Sequence, residues 1–123
     1  MFSRISRAIK AFRARQFVII LSENEGEADL AIPAQEILAE SILFAARVAS
    51  GLLCLALPKS RLQELEIDSL PSKYRAYDTP FYTPVDAKEV EASGISPKDR
   101  AYTIRKIIDP DTRAGNLTQK ERG

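Results

Sequence analysis

The chain has 123 residues, of which 45% are apolar and 28% charged, the composition of one globular domain. Eighteen basic and seventeen acidic side chains leave a net charge of +1, which excludes a general polyanion binder and argues against a nucleic-acid partner. The single cysteine, Cys54, excludes an internal disulfide and a cysteine zinc cluster. The absence of histidine excludes histidine-dependent triads and histidine metal ligands.

The basic N-terminus predicts an amphipathic helix that leads into a buried strand. Ser3 is the candidate cap, and apolar residues follow at helical spacing: Phe2, Ile5, Ile9 and Phe12. The apolar run 17–21 predicts the strand. Residues 1–16 carry five basic side chains and no acid, which is also typical of an organellar transit peptide. We favour a solvated helix in a cytoplasmic protein, because the helix enters the strand without a linker.

The next segments predict an acidic loop and a second helix. The loop covers residues 22–29, and residues 30–32 predict a short strand. Pro33 is a typical first helical residue, and the helix is expected to end at Ser50 and Gly51. Its apolar stripe comprises Ile37, Leu38, Ile42, Ala45 and Ala46.

Residues 52–57 form a second continuous apolar run and predict a central strand, in which Cys54 is a core residue with an inert thiol. Like residues 17–21, this run is far shorter than the roughly 20 residues of a membrane span, so we expect no membrane association. Pro58 predicts a short helix with Leu62 and Leu65 facing inward. Residues 66–80 lack a clear period and predict a long loop. Its basic–aromatic cluster is of a kind that binds nucleic acid, which the acidic middle of the chain disfavours: Lys73, Tyr74, Arg75 and Tyr77.

The last elements are an edge strand and a capped helix. Residues 81–85 predict the strand, at an edge or bulge because of Pro84. Ser96, Pro97 and Asp99 are typical of a helix start. The apolar face of that helix is Ala101, Ile104, Ile107 and Ile108.

Alternating helices and strands predict one α/β or α+β domain over residues 1–110, with a sheet covered by helices. Residues 111–123 are polar and predict a frayed tail.

Candidate chemistry is densest in the acidic loop, which carries four carboxylates within seven residues: Glu23, Glu25, Glu27 and Asp29. Carboxylate oxygens suit magnesium, and clustered carboxylates raise one another's pKa, which suits acid–base chemistry. Composition alone favours a merely solvated loop. Residues 93–96 precede a helix whose free N–H groups can hold a phosphate, although simple capping is the favoured interpretation.

In chain order, these segments resemble the 3,4-dihydroxy-2-butanone 4-phosphate synthase family of riboflavin biosynthesis. Residues 23–29 resemble its Asp-Arg-Glu-Asn-Glu-Gly-Asp loop, and residues 79–87 resemble its Thr-x-Phe-Thr-Val-x-Ile-Asp-Ala strand. Residues 93–105 resemble its Thr-Gly-Ile-Ser-x-x-Asp-Arg-x-x-Thr-Ile segment. The resemblance implies an α+β fold with a mixed sheet covered by helices. It also implies a magnesium-dependent lyase that converts ribulose 5-phosphate into 3,4-dihydroxy-2-butanone 4-phosphate and formate, as a homodimer with active sites at the subunit interface.

The resemblance implies roles for six residues. Glu23 is the expected metal ligand, and Glu25 and Asp29 are the expected catalytic carboxylates. Glu27 or Asp29 would contact a substrate hydroxyl, and Thr83 and Ser93 would lie near the sugar phosphate. An alignment anchored on residues 30–33 places Glu25 at the ligand position instead.

The chain departs from the family pattern in three places. Ser22 or Asn24 replaces the arginine of the acidic loop. Residues 113–116 resemble an Arg-Pro-Gly-His segment, with Asn116 where the histidine belongs. The later Arg-x-Gly-His-Thr-Glu-Ala segment, which supplies a second metal ligand, a phosphate-binding arginine and an essential glutamate, is not found.

From these departures we expect a C-terminally truncated, catalytically degenerate paralogue that retains the fold and binds a ligand or a partner. The partner would be a second copy or a related chain. The alternative is an active magnesium-dependent lyase with a rebuilt or partner-completed site.

Overall fold

A computed structural model describes residues 4–50, 52–74 and 79–119. The helices and strands of these residues follow in the order α1 (Arg4–Arg13), β1 (Val18–Ser22), β2 (Glu27–Ala31), α2 (Ala39–Ala49), α3 (Lys59–Glu64), β3 (Val85–Ala87), α4 (Pro97–Ile108) and β4 (Leu117–Gln119). Short 3-10 helices cover Ser72–Tyr74 and Ala114–Asn116. The α+β class is confirmed. The described strands pair as two antiparallel two-stranded sheets, β1–β2 and β3–β4, rather than as one mixed sheet.

Helix α1 forms where the apolar spacing predicts it, and it contacts β1. Its apolar residues Ile5, Ile9 and Phe12 are exposed. Phe2 and the predicted cap Ser3 lie outside the described residues. No helix in the described ranges is long and apolar enough to cross a bilayer.

Strand β1 lies one residue later than predicted, and the prediction that it is buried is wrong. Ile19 and Leu21 are 68% and 70% exposed. Burial of both faces requires a layer on each side of a sheet. Within the described part of the chain, β1 pairs only with β2, so the β1–β2 hairpin remains largely open to solvent.

Helix α2 begins at Ala39, six residues later than Pro33, which was the predicted start. The intervening residues form a turn, in which the Ile37 N–H donates to the Ala34 carbonyl at 3.2 Å. Glu36 adopts a φ of +56°, outside the right-handed helical region. The helix ends at Ala49, and Ser50 has the left-handed conformation of a helix cap, so the predicted end at Ser50 is confirmed. Gly51 lies outside the described residues.

Residues 52–57 do not form the predicted central strand. They have no regular secondary structure, and no described residue forms a ladder with them. Leu55 and Leu57 pack against the core, whereas Leu52 is 79% exposed. Cys54 is also exposed, so its prediction as a core residue is wrong. A strand needs a neighbour to bond its backbone groups, and the described residues supply none.

Helix α4 joins two small core clusters. Its start is as predicted, with Pro97 in the first turn and the Ser96 hydroxyl accepting the Asp99 N–H at 3.1 Å. Ala101 packs in one cluster with Ile37 and Ile42. Ile107 packs in the other cluster, whose remaining buried members are Leu65, Ile67 and Leu117.

The loop that precedes β3 is held at one point by a bridge between Ser69 and Tyr82. Here the Leu70 N–H donates to the Phe81 carbonyl at 2.8 Å. The predicted strand at 81–85 is displaced towards the C-terminus, because β3 begins at Val85. Residues 75–78, with Arg75 and Tyr77 of the basic–aromatic cluster, lie outside the described residues.

The segment after α4 is folded as far as Gln119, whereas a frayed tail was expected from residue 111. Thr112 and Leu117 are 3% and 7% exposed, and β4 pairs with β3. Leu117 packs in a core cluster, although the segment after residue 110 is mostly polar. Residues 120–123 lie outside the described residues.

Arg61 on α3 binds the C-terminal end of α4. Its guanidinium donates to the carbonyls of Ile107 at 3.0 Å, Asp109 at 2.7 Å and Thr112 at 3.2 Å. The last carbonyls of a helix have no partner within the helix, and a cation there also meets the negative end of the helix dipole. Arg61 therefore ties α3, α4 and the turn that follows.

We expect Arg61→Met to lower the free energy of unfolding by about 1.5–3 kcal/mol, because it removes charge-assisted donors from part-buried carbonyls. Urea denaturation measures the change. The control is Lys59→Met, at an exposed position of the same helix, which should change stability by less than about 0.5 kcal/mol. Equal midpoints for the two variants would contradict this role of Arg61.

Candidate functional site

The β1–β2 hairpin has one acidic and one apolar face. Directly paired residues of antiparallel strands lie on the same face, and the register pairs Ile20 with Asp29 and Ser22 with Glu27. Glu27 and Asp29 therefore share a face. Side chains alternate along a strand, so the opposite face carries only apolar residues: Ile19, Leu21, Ala28 and Leu30.

The turn of this hairpin positions Glu25. The N–H groups of Glu25 and Gly26 donate to the Ser22 carbonyl at 3.3 and 3.0 Å. The Ser22 hydroxyl donates to Glu25 Oε2 at 3.2 Å, which orients the carboxylate. Gly26 has a φ of +66°, a left-handed conformation that glycine adopts without strain.

The four carboxylates of the hairpin have the right chemistry for magnesium but do not form a closed site. Glu23, Glu25, Glu27 and Asp29 are all exposed. Among the described residues, no three acidic, cysteine or histidine side chains come together in a group that could hold a metal ion. Magnesium often keeps several waters and takes one or two protein carboxylates. The hairpin therefore presents no complete set of protein ligands for a metal ion within the described part of the chain.

The two predicted phosphate-site hydroxyls belong to other segments of the chain, which precede β3 and α4. The Thr83 hydroxyl donates to the Asp68 carbonyl at 3.0 Å, so it holds the preceding loop. The Ser93 hydroxyl accepts the Ile95 N–H at 3.4 Å. Four of the six predicted site residues therefore lie on the hairpin and two on these other segments.

Sequence reasoning assigned no role to a close contact beside Ser93. Gly94 is buried with a φ of +75°, and a Cβ atom there would overlap the Asp86 carboxylate. One residue further along β3, the Ala87 N–H donates to the buried Thr103 hydroxyl at 3.2 Å. Asp86 therefore packs directly on the loop that carries Ser93, and Thr103 joins β3 to α4. Gly94, two residues before the helix cap Ser96, was the signal in the sequence.

Partial burial of the thiol raises the pKa of Cys54, and the negative charge of Asp29 raises it further. Both effects disfavour the thiolate, which is the nucleophilic form. This agrees with the predicted inert thiol, although Cys54 is not in the core.

A surface cavity of about 590 Å³ lies at the end of α4 and contains none of the predicted site residues. Its lining residues are Arg61, Glu64, Ile108, Pro110 and Arg113. Both arginines donate to backbone carbonyls, Arg113 to that of Pro110 at 2.7 Å. These two cations therefore bind the backbone carbonyls that follow the end of α4.

The family model for 3,4-dihydroxy-2-butanone 4-phosphate synthase matches residues 6–120. This chain belongs to that family. A synthase of that name from Erwinia tasmaniensis is 33% identical over 119 residues, which is 94% of this chain and 55% of the relative. A riboflavin biosynthesis protein RibBA from Phocaeicola vulgatus is 38% identical over 109 residues, which is 86% of this chain and 27% of the relative.

Solved structures of this family share the fold. A crystal structure of a 3,4-dihydroxy-2-butanone 4-phosphate synthase in complex with two magnesium ions matches with a TM-score of 0.86 and 32% identity. The match covers 96% of this chain and 56% of that one. The synthase of Candida albicans matches with a TM-score of 0.80 and 29% identity, over 97% of this chain and 59% of that one. The chain therefore spans about half the length of the synthases that it matches.

The family resemblance predicts that Asn116 takes the place of a histidine, and the structure describes the contacts of this residue. Its Oδ1 accepts the Arg113 N–H at 2.9 Å, and its carbonyl accepts the Lys88 N–H at 2.9 Å. In this chain, the residue closes a turn and connects it to the end of β3.

Three glycine substitutions test the contact beneath Ser93. Gly26→Ala places a side chain at positive φ in open space and should lower the free energy of unfolding by about 1–2 kcal/mol. Gly94→Ala adds overlap with Asp86 and should lower it by roughly another 1–3 kcal/mol. Gly115→Ala, with nothing near its Cβ, is the control. Thermal or urea unfolding ranks the stability of the three variants. If the Gly94 variant is at least as stable as the Gly26 variant, the contact with Asp86 is contradicted.

We expect Asp29→Asn to lower the pKa of the Cys54 thiol, because it removes a negative charge that disfavours the thiolate. The pH profile of iodoacetamide alkylation, read at the one cysteine of the chain, should shift to lower pH. Glu23→Gln is the control, and its profile should match that of the unchanged protein. If the Asp29 profile does not move either, the two side chains do not interact.

Proposed function

We propose that this chain is a catalytically degenerate member of the 3,4-dihydroxy-2-butanone 4-phosphate synthase family that acts in the cytoplasm. It keeps weak binding of magnesium and of a sugar phosphate such as ribulose 5-phosphate, without efficient turnover on its own. One observation carries the proposal: the acidic hairpin has carboxylates of the right chemistry, but no three potential ligands converge among the described residues. That supports binding of a hydrated cation more than catalysis.

In this proposal, Glu23 holds the metal through a carboxylate oxygen, with Glu25 as the alternative ligand. Bound magnesium would supply charge that stabilises developing negative charge on the substrate oxygens. Glu25, which the Ser22 hydroxyl orients, is the group able to move a proton. Glu27 and Asp29 share one face, which suits contact with the hydroxyl groups of a sugar.

The exposure of these carboxylates supports weak catalysis. An efficient acid–base site excludes water, which strengthens its electrostatic interactions and shifts the pKa values of its groups. All four carboxylates of the hairpin are exposed. A correctly placed acid or base contributes about 10²–10⁴-fold to a rate, so the lack of such an environment reduces turnover strongly.

The second candidate is an active lyase whose site is completed by another polypeptide, in a homodimer or with a related chain. The openness of the acidic face favours it, because Glu27 and Asp29 remain accessible to ligands or catalytic groups from a second polypeptide.

Turnover separates these candidates. The purified chain, given ribulose 5-phosphate and magnesium, should release formate at least about 10²-fold more slowly than the Erwinia tasmaniensis synthase assayed alongside it, as followed by NMR. Formate release at a comparable rate would contradict degeneracy and favour an active lyase, with a rebuilt site or one completed in a homodimer.

Magnesium titration calorimetry tests the binding half of the same proposal. Glu23→Gln and Glu25→Gln combined should weaken magnesium binding about tenfold or more, because they remove the carboxylates that are offered to the ion. Glu40→Gln, an exposed carboxylate on α2, should bind as the unchanged protein does. Equal affinities in all three proteins would exclude the hairpin as the magnesium site.

A further inference from the structure

Helix α1 has an apolar face and a basic face, and both are open to solvent. Ile5, Ile9 and Phe12 follow one another at steps of four and three residues, so they share one face of the helix. They are 68%, 49% and 37% exposed, and no residue of α1 is buried. We call these three residues the apolar face of α1.

The rest of the α1 surface carries cations. Helical spacing places Arg7 and Lys10 opposite the apolar face and Arg4 and Arg13 at its two borders. In the described ranges of the chain, no carboxylate forms an ion pair with any of these four side chains. The net charge of the whole chain is only +1, so positive charge is concentrated on α1 and the remainder of the chain is net negative.

The C-terminal end of α1 is fixed by hydrogen bonds and one ion pair. The Gln16 N–H donates to the Ala11 carbonyl at 3.0 Å, and the Arg15 N–H donates to the Phe12 carbonyl at 2.9 Å. Arg15 has a φ of +60°, which completes the usual bonding pattern of a left-handed helix end. Its guanidinium pairs with Glu36 in the turn before α2. The helix is therefore joined to the rest of the fold at this end, while its apolar face stays open.

The combination of these two faces favours a lipid surface as the partner. A nucleic acid would contact the cations but leave the apolar face in water. A second copy of α1 would cover the apolar face but bring its own cations against the same borders, and like charges repel. A helix in the plane of a membrane satisfies both faces, because its apolar residues enter the acyl region and its cations contact anionic headgroups.

We propose that α1 binds in the plane of an anionic lipid surface. Its apolar face enters the acyl region, and the long side chains of Arg4 and Arg13 reach the headgroups at the borders. Anionic lipids are typical of the cytoplasmic leaflet, which fits a protein that acts in the cytoplasm. The expectation of no membrane association rested on the length of the apolar runs, and a helix in the membrane surface needs no spanning segment. The inference goes beyond the proposed function, because lipid binding requires neither magnesium nor a sugar phosphate.

Vesicle sedimentation of the whole chain tests this proposal, with a metal chelator present and no sugar phosphate. Vesicles of equal parts phosphatidylcholine and phosphatidylserine should bind the chain at least about tenfold more tightly than vesicles of phosphatidylcholine alone. Binding should weaken strongly at about 1 M salt, where the Debye length falls to about 3 Å. Hydrogen exchange on the anionic vesicles should slow at residues 4–13 and remain unchanged in the middle of α4.

A matched pair of variants tests the apolar face. Ile9→Asp should weaken binding to the anionic vesicles about tenfold or more, since it places a charge where the membrane buries an apolar side chain. Ile95→Asp is the control and should bind as the unchanged protein does, because Ile95 is 63% exposed but lies outside α1. Circular dichroism confirms that each variant keeps its helices.

A second matched pair tests the cations. Arg4→Gln and Arg13→Gln combined should weaken binding about tenfold or more, because each cation near an anionic surface contributes about fivefold to the affinity. Lys59→Gln and Lys98→Gln combined remove two exposed cations outside α1 and should leave the affinity unchanged.

Four outcomes would overturn the proposal: no binding to vesicles, equal binding to both vesicle types, equal binding by all variants, or self-association through Ile9 in place of vesicle binding. Because lipid binding is scored without free metal or substrate, its failure is separable from a failure of the proposed function.

Discussion

The packing of α4 between two core clusters is the interaction on which the rest of the fold depends. Ala101 enters one cluster and Ile107 the other, and α4 has more buried residues than any other described helix. Ser96 caps its beginning and Arg61 binds the carbonyls at its end. The two clusters are small, so stability depends on keeping both ends of this helix in place.

The hairpin that carries the candidate chemistry lies outside this core. It contacts α2, where the rings of Phe17 and Phe44 lie 5.2 Å apart, and it contacts α1. A two-stranded hairpin is marginally stable in water by itself. The carboxylates are therefore displayed on an element that is stabilised less well than the α4 side of the molecule. The candidate carboxylates therefore lie on the hairpin, whereas the buried residues that stabilise the fold lie around α4.

Elements with local signals were predicted well. The start of α4 depends on Ser96 and Pro97, and the start of α3 follows Pro58, because capping involves residues within one turn. The acidic run was predicted as a loop over residues 22–29, and this is wrong for Glu27 to Asp29, which lie in β2 because they pair with β1. The start of α2 was misjudged because a proline at a first-turn position also fits a turn, and the positive φ of Glu36 delays the helix.

The sequence by itself determined the capped start of α4, the end of α2 at Ser50, the absence of histidine and the similarity to the synthase family. Only the tertiary structure decided which apolar runs are buried, since residues 17–21 and 52–57 read alike as core strands and both remain largely open. It also placed Asp86 on Gly94 and anchored Leu117 in the core. Burial and strand pairing depend on segments that are distant in the chain. The hydrophobicity of a short segment does not show which other segment, if any, packs against it.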